Sequence, residues 1–116
     1  ARRPRPHQDP AALAAQAALD DAIAAQVEYY FSVANLCKDV YLRGCMDARG
    51  YVPLDHVCSF SRLRAICADP AVVRRAVEGS DKLSLIKERG ASGGRPAWLV
   101  RTNDQPERWV LGAVQP

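Results

Sequence analysis

The stretch Lys82-Leu83-Ser84-Leu85-Ile86-Lys87-Glu88, followed after a turn-prone run by Ala97-Trp98-Leu99-Val100-Arg101, reads as two β-strands. Aliphatic and aromatic residues crowd both segments, and Gly90, Gly93, Gly94 and Pro96 between them carry the chemistry of a flexible hairpin loop. The residues before this stretch carry helical patterns instead. Several short helices followed by two antiparallel strands predict an α+β domain of winged-helix type, mostly helical, with a small antiparallel sheet as the wing.

Working back toward the start, Asp69-Pro70 places a capping carboxylate before a proline, and Val72, Val73, Ala76 and Val77 form an inward stripe that ends at Gly79. Ser61 to Ala68 predicts another helix, with Leu63, Ile66 and Cys67 at helical spacing. Pro53 cannot continue a central strand, so Leu54, Val57 and Cys58 predict a short helix. Asn35 is expected to cap a helix that turns Leu36, Val40, Cys37 and Cys45 inward and ends near Gly50. Before it, Asp9-Pro10 opens a long helix over residues 10–31, in which Leu19, Ile23, Val27 and Phe31 recur every fourth residue on one stripe. Residues 1–8, rich in Arg and Pro, read as a flexible basic tail, 9–112 as the folded domain and 113–116 as a second tail.

The chain has 116 residues, of which 48% are hydrophobic, which is enough for one core and too little for two domains. Its net charge of +3 comes entirely from Arg2, Arg3 and Arg5, leaving 13 basic against 13 acidic residues. General attraction to a polyanion is therefore excluded, and any contact with nucleic acid must be local. Cys37, Cys45, Cys58 and Cys67 form no CxxC pair and have only His56 nearby, which points to reduced, small apolar residues rather than a metal site. No run reaches the roughly 20 apolar residues of a membrane span. No cofactor is expected.

Catalytic patterns are missing too. GxSxG, HExxH and GK[ST] do not occur, and His56 has no Ser or Cys partner at motif spacing. Gly90 to Gly94 lies between two strands rather than between strand and helix, so it is a hairpin loop and not a phosphate loop. An enzyme is not expected.

Tyr29, Tyr30 and Phe31 are consecutive on a helix, and three neighbours about 100° apart cannot share one buried stripe. Phe31 continues the stripe of Val27, which sends Tyr29 and Tyr30 to the flanks. Gln26 lies one turn before both, so an amide and two phenols can share a surface. Asp39 and Tyr41 sit on the next helix, with Phe60 and Arg62 after the Pro53 break. Asp39 has a plain structural alternative in an ion pair with Arg43, four residues on. Without that pair, Asp39→Ala is expected to leave the thermal midpoint nearly unchanged, and a large loss of stability would favour the pair.

In this order, Gln26-Val27-Glu28-Tyr29-Tyr30-Phe31-Ser32, Asn35-Leu36, Asp39, Tyr41-Leu42, Gly50-Tyr51-Val52-Pro53-Leu54, Phe60 and Arg62-Leu63 resemble the La motif over about residues 16–88. Cys45-Met46-Asp47-Ala48, Ser59-Phe60 and Pro106-Glu107-Arg108-Trp109 are similar to the class-one La-related proteins, cytoplasmic regulators of messenger RNA. Tyr41 stands where Phe is common, Val33-Ala34 lacks the acidic residue many members place before Asn35, and no aromatic ribonucleoprotein signature follows Trp98.

The resemblance implies a winged-helix-like fold that captures the 3′ end of single-stranded RNA. It implies that Asp39 accepts hydrogen bonds from the terminal 2′- and 3′-hydroxyls, as an ionised carboxylate with two acceptor oxygens can. It implies that Tyr41 stacks on a base, that Tyr29, Tyr30 and Phe60 shape the cleft, that Gln26 reads a base edge, and that Arg62 belongs to the same site. The implied ligand is polyadenylate with a free 3′-hydroxyl, serving messenger-RNA stability or translation. The implied partner of the full-length protein is poly(A)-binding protein, and the domain itself is expected to be a monomer. Two other readings remain open. One is a winged helix that grips duplex DNA through Arg62, Arg64, Arg74 and Arg75, with steep salt dependence. The other is a protein-interaction module with its aromatics buried.

Overall fold

The computed structural model describes residues 9–89 and 94–111. The tails expected at 1–8 and 113–116, and most of the expected hairpin loop, lie outside them. Six helices, α1 (Pro10–Tyr30), α2 (Val33–Leu36), α3 (Val40–Gly44), α4 (Leu54–Cys58), α5 (Ser61–Ile66) and α6 (Pro70–Glu78), are joined by strands β1 (Val52–Pro53), β2 (Leu83–Arg89) and β3 (Pro96–Thr102). A 3-10 turn at Pro106–Trp109 follows.

The two Asp-Pro signals work as capping chemistry requires. The Asp9 carboxylate accepts the Ala11 amide at 3.0 Å, and the Asp69 carboxylate accepts that of Ala71 at 3.0 Å, so each fills an amide that the first helical turn leaves without a partner. Helix α1 then lays Ile23 and Val27 against α5 and α6, where Leu63, Val73 and Val77 are fully enclosed. Each such aliphatic side chain contributes about 1.5–3 kcal/mol by leaving water.

Strands β2 and β3 pair antiparallel with Leu85 opposite Val100 and Lys87 opposite Trp98. The alternation of β3 puts Val100 and Thr102 inward, which closes the core from the wing side. The sheet is larger than the sequence indicates. Val52 and Pro53 add a third strand on the other side of β3, in the order β1-β3-β2. Proline is tolerated there because β1 is an edge, where one side of the strand needs no partner. Gly50 precedes it at φ +90, and a Cβ at that position would lie 2.7 Å from the Pro106 carbonyl oxygen. A side chain at position 50 would thus force the 3-10 turn away.

Two expectations need correction. The single helix expected from Asn35 toward Gly50 is two one-turn helices. Ser32, not Asn35, caps the first through the Asn35 amide at 3.2 Å, and Asp39 caps the second through the Leu42 amide at 3.0 Å. The break at Asp39 turns Leu36 and Leu42 inward and leaves Val40 63% exposed and Cys37 exposed. The second correction concerns Tyr30, which is buried alongside Phe31 rather than set on a flank. Helix α1 ends at Tyr30, and Phe31 at φ −96, ψ 11 has already left the helical path. The 100° rule therefore stops applying between them, and both rings enter the core.

Candidate nucleic-acid interface

The end of α1, the start of α3 and the start of α5 meet at an open cleft of about 330 Å³ lined by Tyr30, Asp39, Tyr41, Phe60, Ser61 and Arg62. Five residues singled out from the sequence converge there, from three segments spread over positions 30 to 62.

Asparagine 35 ties two walls of this cleft together. Its buried Nδ2 donates to the Tyr30 carbonyl at 2.8 Å and to Asp39 Oδ2 at 3.0 Å, using one hydrogen for each. Asp39 Oδ1 accepts the Leu42 amide. An ionised carboxylate has about four lone-pair sites, so each oxygen of Asp39 keeps one acceptor position for a ligand. The ion pair with Arg43 expected as the plain alternative does not form. Arg43 Nε donates to the Trp109 carbonyl at 2.9 Å, and its guanidinium lies 5.6 Å from the centre of the Trp109 ring. Asp39 also caps α3, so Asp39→Ala is expected to cost some stability even without the Arg43 pair, where the sequence alone suggested a thermal midpoint nearly unchanged.

The rings meet edge to face. Tyr30 and Phe60 have centroids 5.1 Å apart at 82°, and Tyr41 and Phe60 are 6.3 Å apart at 61°. Such contacts fix ring orientation through quadrupole attraction and leave ring faces free. Tyr30 is further held by the Leu63 amide, which donates to its hydroxyl at 3.2 Å. Burial raises the Tyr30 phenol above its ordinary value, against the opposing effect of the Leu63 amide, the Gln26 side chain and the Arg62 charge. Tyr41 is different: it stands 64% exposed at the rim, its ring 5.7 Å from that of His56 and tilted 30° to it. Arg62 is exposed, and among the described residues it forms no salt bridge.

Gln26 and Tyr29 do not line this cleft. Gln26 lies beside the Tyr30 phenol, and its enclosed Nε2 has no hydrogen-bond partner among the described residues. The Tyr29 ring sits 6.5 Å from that of Tyr30 but faces a second concavity of about 570 Å³, shared with Val33, Lys82, Leu83 and Asn103. His56, which the sequence does not connect with this site, stands behind two of its rings. Its Nε2 lies 3.0 Å from the Tyr41 hydroxyl, and its ring meets Phe60 at 5.5 Å. Tyr41 and His56 are fifteen residues apart, beyond any local periodicity.

Two of the four arginines of the duplex-DNA reading are held in ion pairs. Arg74 pairs with Glu78 at 2.9 Å, Arg75 with Asp20 at 3.2 Å, and Arg62 belongs to the cleft. Among the described residues no group of three His, Cys, Asp or Glu side chains is placed to hold a metal ion, and no helix is long and apolar enough to cross a membrane.

Comparison with known proteins bears on the same segments. A family model described as the La domain matches residues 23–79. An uncharacterized HTH La-type RNA-binding protein of Schizosaccharomyces pombe is 46% identical over 63 residues, which is 54% of this chain and 13% of that protein. La-related protein 1C of Arabidopsis thaliana is 30% identical over 86 residues, or 74% of this chain and 14% of that protein. The chain thus spans about a seventh of the length of these curated relatives. Among solved structures it is similar to a La autoantigen N-terminal domain, with a TM-score of 0.62 and 31% identity over 75% of this chain and 88% of that one.

Proposed function

The chain belongs to the La domain family, and from that premise we propose that its cleft binds single-stranded RNA by the last nucleotides of a free 3′ end. The observation that carries this reading is the convergence of Tyr30, Asp39, Tyr41, Phe60 and Arg62 on one open cleft. The spare acceptors of Asp39 take the 2′- and 3′-hydroxyls of the terminal ribose, and a 3′-phosphate in their place would meet like charge. Tyr41, the most exposed ring of the cleft, offers itself to a base, and base stacking is worth about 1–3 kcal/mol per base. Arg62 supplies a single local cation for a backbone phosphate. Binding by rings and one sugar end needs few ionic contacts, in keeping with a domain whose charge is balanced outside its first residues.

Adenine is the base we assign, with polyadenylate 3′ ends as the ligand, because the chain is similar to class-one La-related proteins. On the same ground we place the parent protein in the cytoplasm, acting on messenger-RNA stability or translation beside poly(A)-binding protein. The role is binding and not catalysis. Gln26, with its unpartnered Nε2, and Tyr29 extend the site toward the penultimate nucleotide if Tyr30 and its neighbours shift on binding.

Titration of a short fluorescent oligoadenylate and its 3′-phosphorylated twin, followed by anisotropy, tests the reading. The free 3′-hydroxyl strand should bind and the phosphorylated one should not. Equal affinity would remove Asp39 from this role. Duplex DNA that binds as well, with a steep salt slope, would replace the reading with the winged-helix one.

A further inference from the structure

The rim of the cleft holds a grouping that end recognition does not require. Cys45 Sγ lies 3.3 Å from His56 Nε2, the nitrogen that also stands 3.0 Å from the Tyr41 hydroxyl. A neutral imidazole nitrogen carries one lone pair or one hydrogen, so thiol and phenol compete for the same atom. Cys45 is partly exposed at the end of α3. The other cysteines are placed differently. Cys37 is exposed, and among the described residues its sulfur has no base at hydrogen-bond distance. Cys67 Sγ points to the Asp69 carbonyl at 3.8 Å. Cys58 is buried, and burial pushes its thiol up to about 11. Only Cys45 pairs partial exposure with a base in reach, which is the geometry of an activated nucleophile.

We propose that Cys45 is a covalent modification site for soft carbon electrophiles of the α,β-unsaturated carbonyl class, with His56 as the base that receives its proton. The sulfur forms a bond to the β-carbon as the carbon–carbon π bond breaks. The thiol proton passes to His56 Nε2 and then to the α-carbon, so the step needs neither an oxidant nor a leaving group. The adduct stands beside Tyr41 and crowds the cleft. That last consequence, and no other part of the proposal, rests on the RNA reading above.

The test is labelling of the 116-residue chain with limiting N-ethylmaleimide, followed over time by peptide mass spectrometry. Cys45 should react roughly tenfold faster than the more exposed Cys37, and His56→Gln should remove that advantage while leaving the Cys37 rate unchanged. Tyr41→Phe should accelerate Cys45, because Nε2 is freed from the phenol. A Cys45 rate at or below that of Cys37, or a rate untouched by both substitutions, overturns the proposal. If His56→Gln unfolds the domain, Cys58 labels as well, and the Tyr41→Phe arm decides. Maleimide treatment should abolish oligoadenylate binding in the unsubstituted protein and spare it in Cys45→Ser. An untreated protein that binds no oligoadenylate would defeat the RNA reading and leave the labelling result standing.

Discussion

Asp39 and Asp47 each anchor a tight turn by accepting backbone amides, Asp39 from Leu42 and Asp47 from Arg49 and Tyr51. They differ in what remains. Asp47 is closed by Arg49, which bonds it at 3.1 Å and reaches across to Glu88 on the wing at 2.7 Å. Among the described residues Asp39 has Asn35 as its only side-chain partner, and it lines an open cleft with aromatic rings. The same residue type in the same local role is therefore finished at one place and left with free acceptors at the other. Capping explains why both are aspartates, but it does not explain why Asp39, unlike Asp47, forms no salt bridge among the described residues. The ligand proposed above, with its hydroxyl donors, would account for it.

The substitution Asp→Asn at both positions separates these cases most strongly. Asparagine caps helices about as well as aspartate, so Asp39→Asn keeps the α3 cap while removing the charge and turning the oxygen that accepts from Asn35 into a donor. Hydrogen bonds to a charged group are worth about 1.5–3 kcal/mol, which converts to a loss of roughly tenfold to a hundredfold in oligoadenylate affinity. Asp47→Asn should leave that affinity unchanged in the same anisotropy titration. Equal losses at the two sites would mean that the contrast is one of stability and not of function.

A second, smaller effect comes from Asp39→Ala. The lost cap costs about 1 kcal/mol, and the thermal midpoint of a domain of this size should fall by about 4–8 °C. Asn35 Nδ2 also loses one of its two acceptors. Comparing Asp39→Ala with Asp39→Asn by thermal unfolding splits the structural part of Asp39 from the recognition part. If both variants melt together, Asp39 contributes nothing as a cap and the geometry at Leu42 is misread.

What the sequence made legible follows the reach of local physics. The strands were read to within a residue, at Leu83–Arg89 and Pro96–Thr102, because alternation and turn residues are properties of consecutive positions. The Asp-Pro helix starts were legible for the same reason. The region from Ser32 to Gly44 was not, because Leu36 and Val40 imitate a helical step across a break that only Asp39 makes. Here Asp39 three residues before Leu42 was the available signal, a cap hidden inside an apparent helix. The placement of Tyr30 differs because a helix that ends one residue earlier changes which rings share a face. Asp39, Tyr41, Phe60 and Arg62 could be named from a family resemblance, whereas their convergence depends on tertiary packing. His56 carries no local mark at all; its role exists only because α4 brings it against Tyr41.

The smallest expected effect belongs to Asp47 and is visible only through pH. Burial raises its carboxyl, but the amides of Tyr51 and Arg49 and the Arg49 guanidinium outweigh this and hold it below its ordinary value of 3.8. A group held lower in the folded state binds fewer protons there than in the unfolded chain, so its contribution to stability is complete above about pH 4 and fades as pH falls through the folded value. Asp47 and Arg49 are both well exposed, and solvent screening keeps the contribution below about 1 kcal/mol. Thermal midpoints of the unsubstituted protein and Asp47→Asn should thus differ by a few degrees at pH 7 and converge between pH 4 and pH 2. Taking the difference between the two proteins cancels the other carboxylates, which titrate alike in both. A gap that widens in acid would mean that Asp47 is protonated more readily in the fold than out of it, and that its turn is held by the backbone alone.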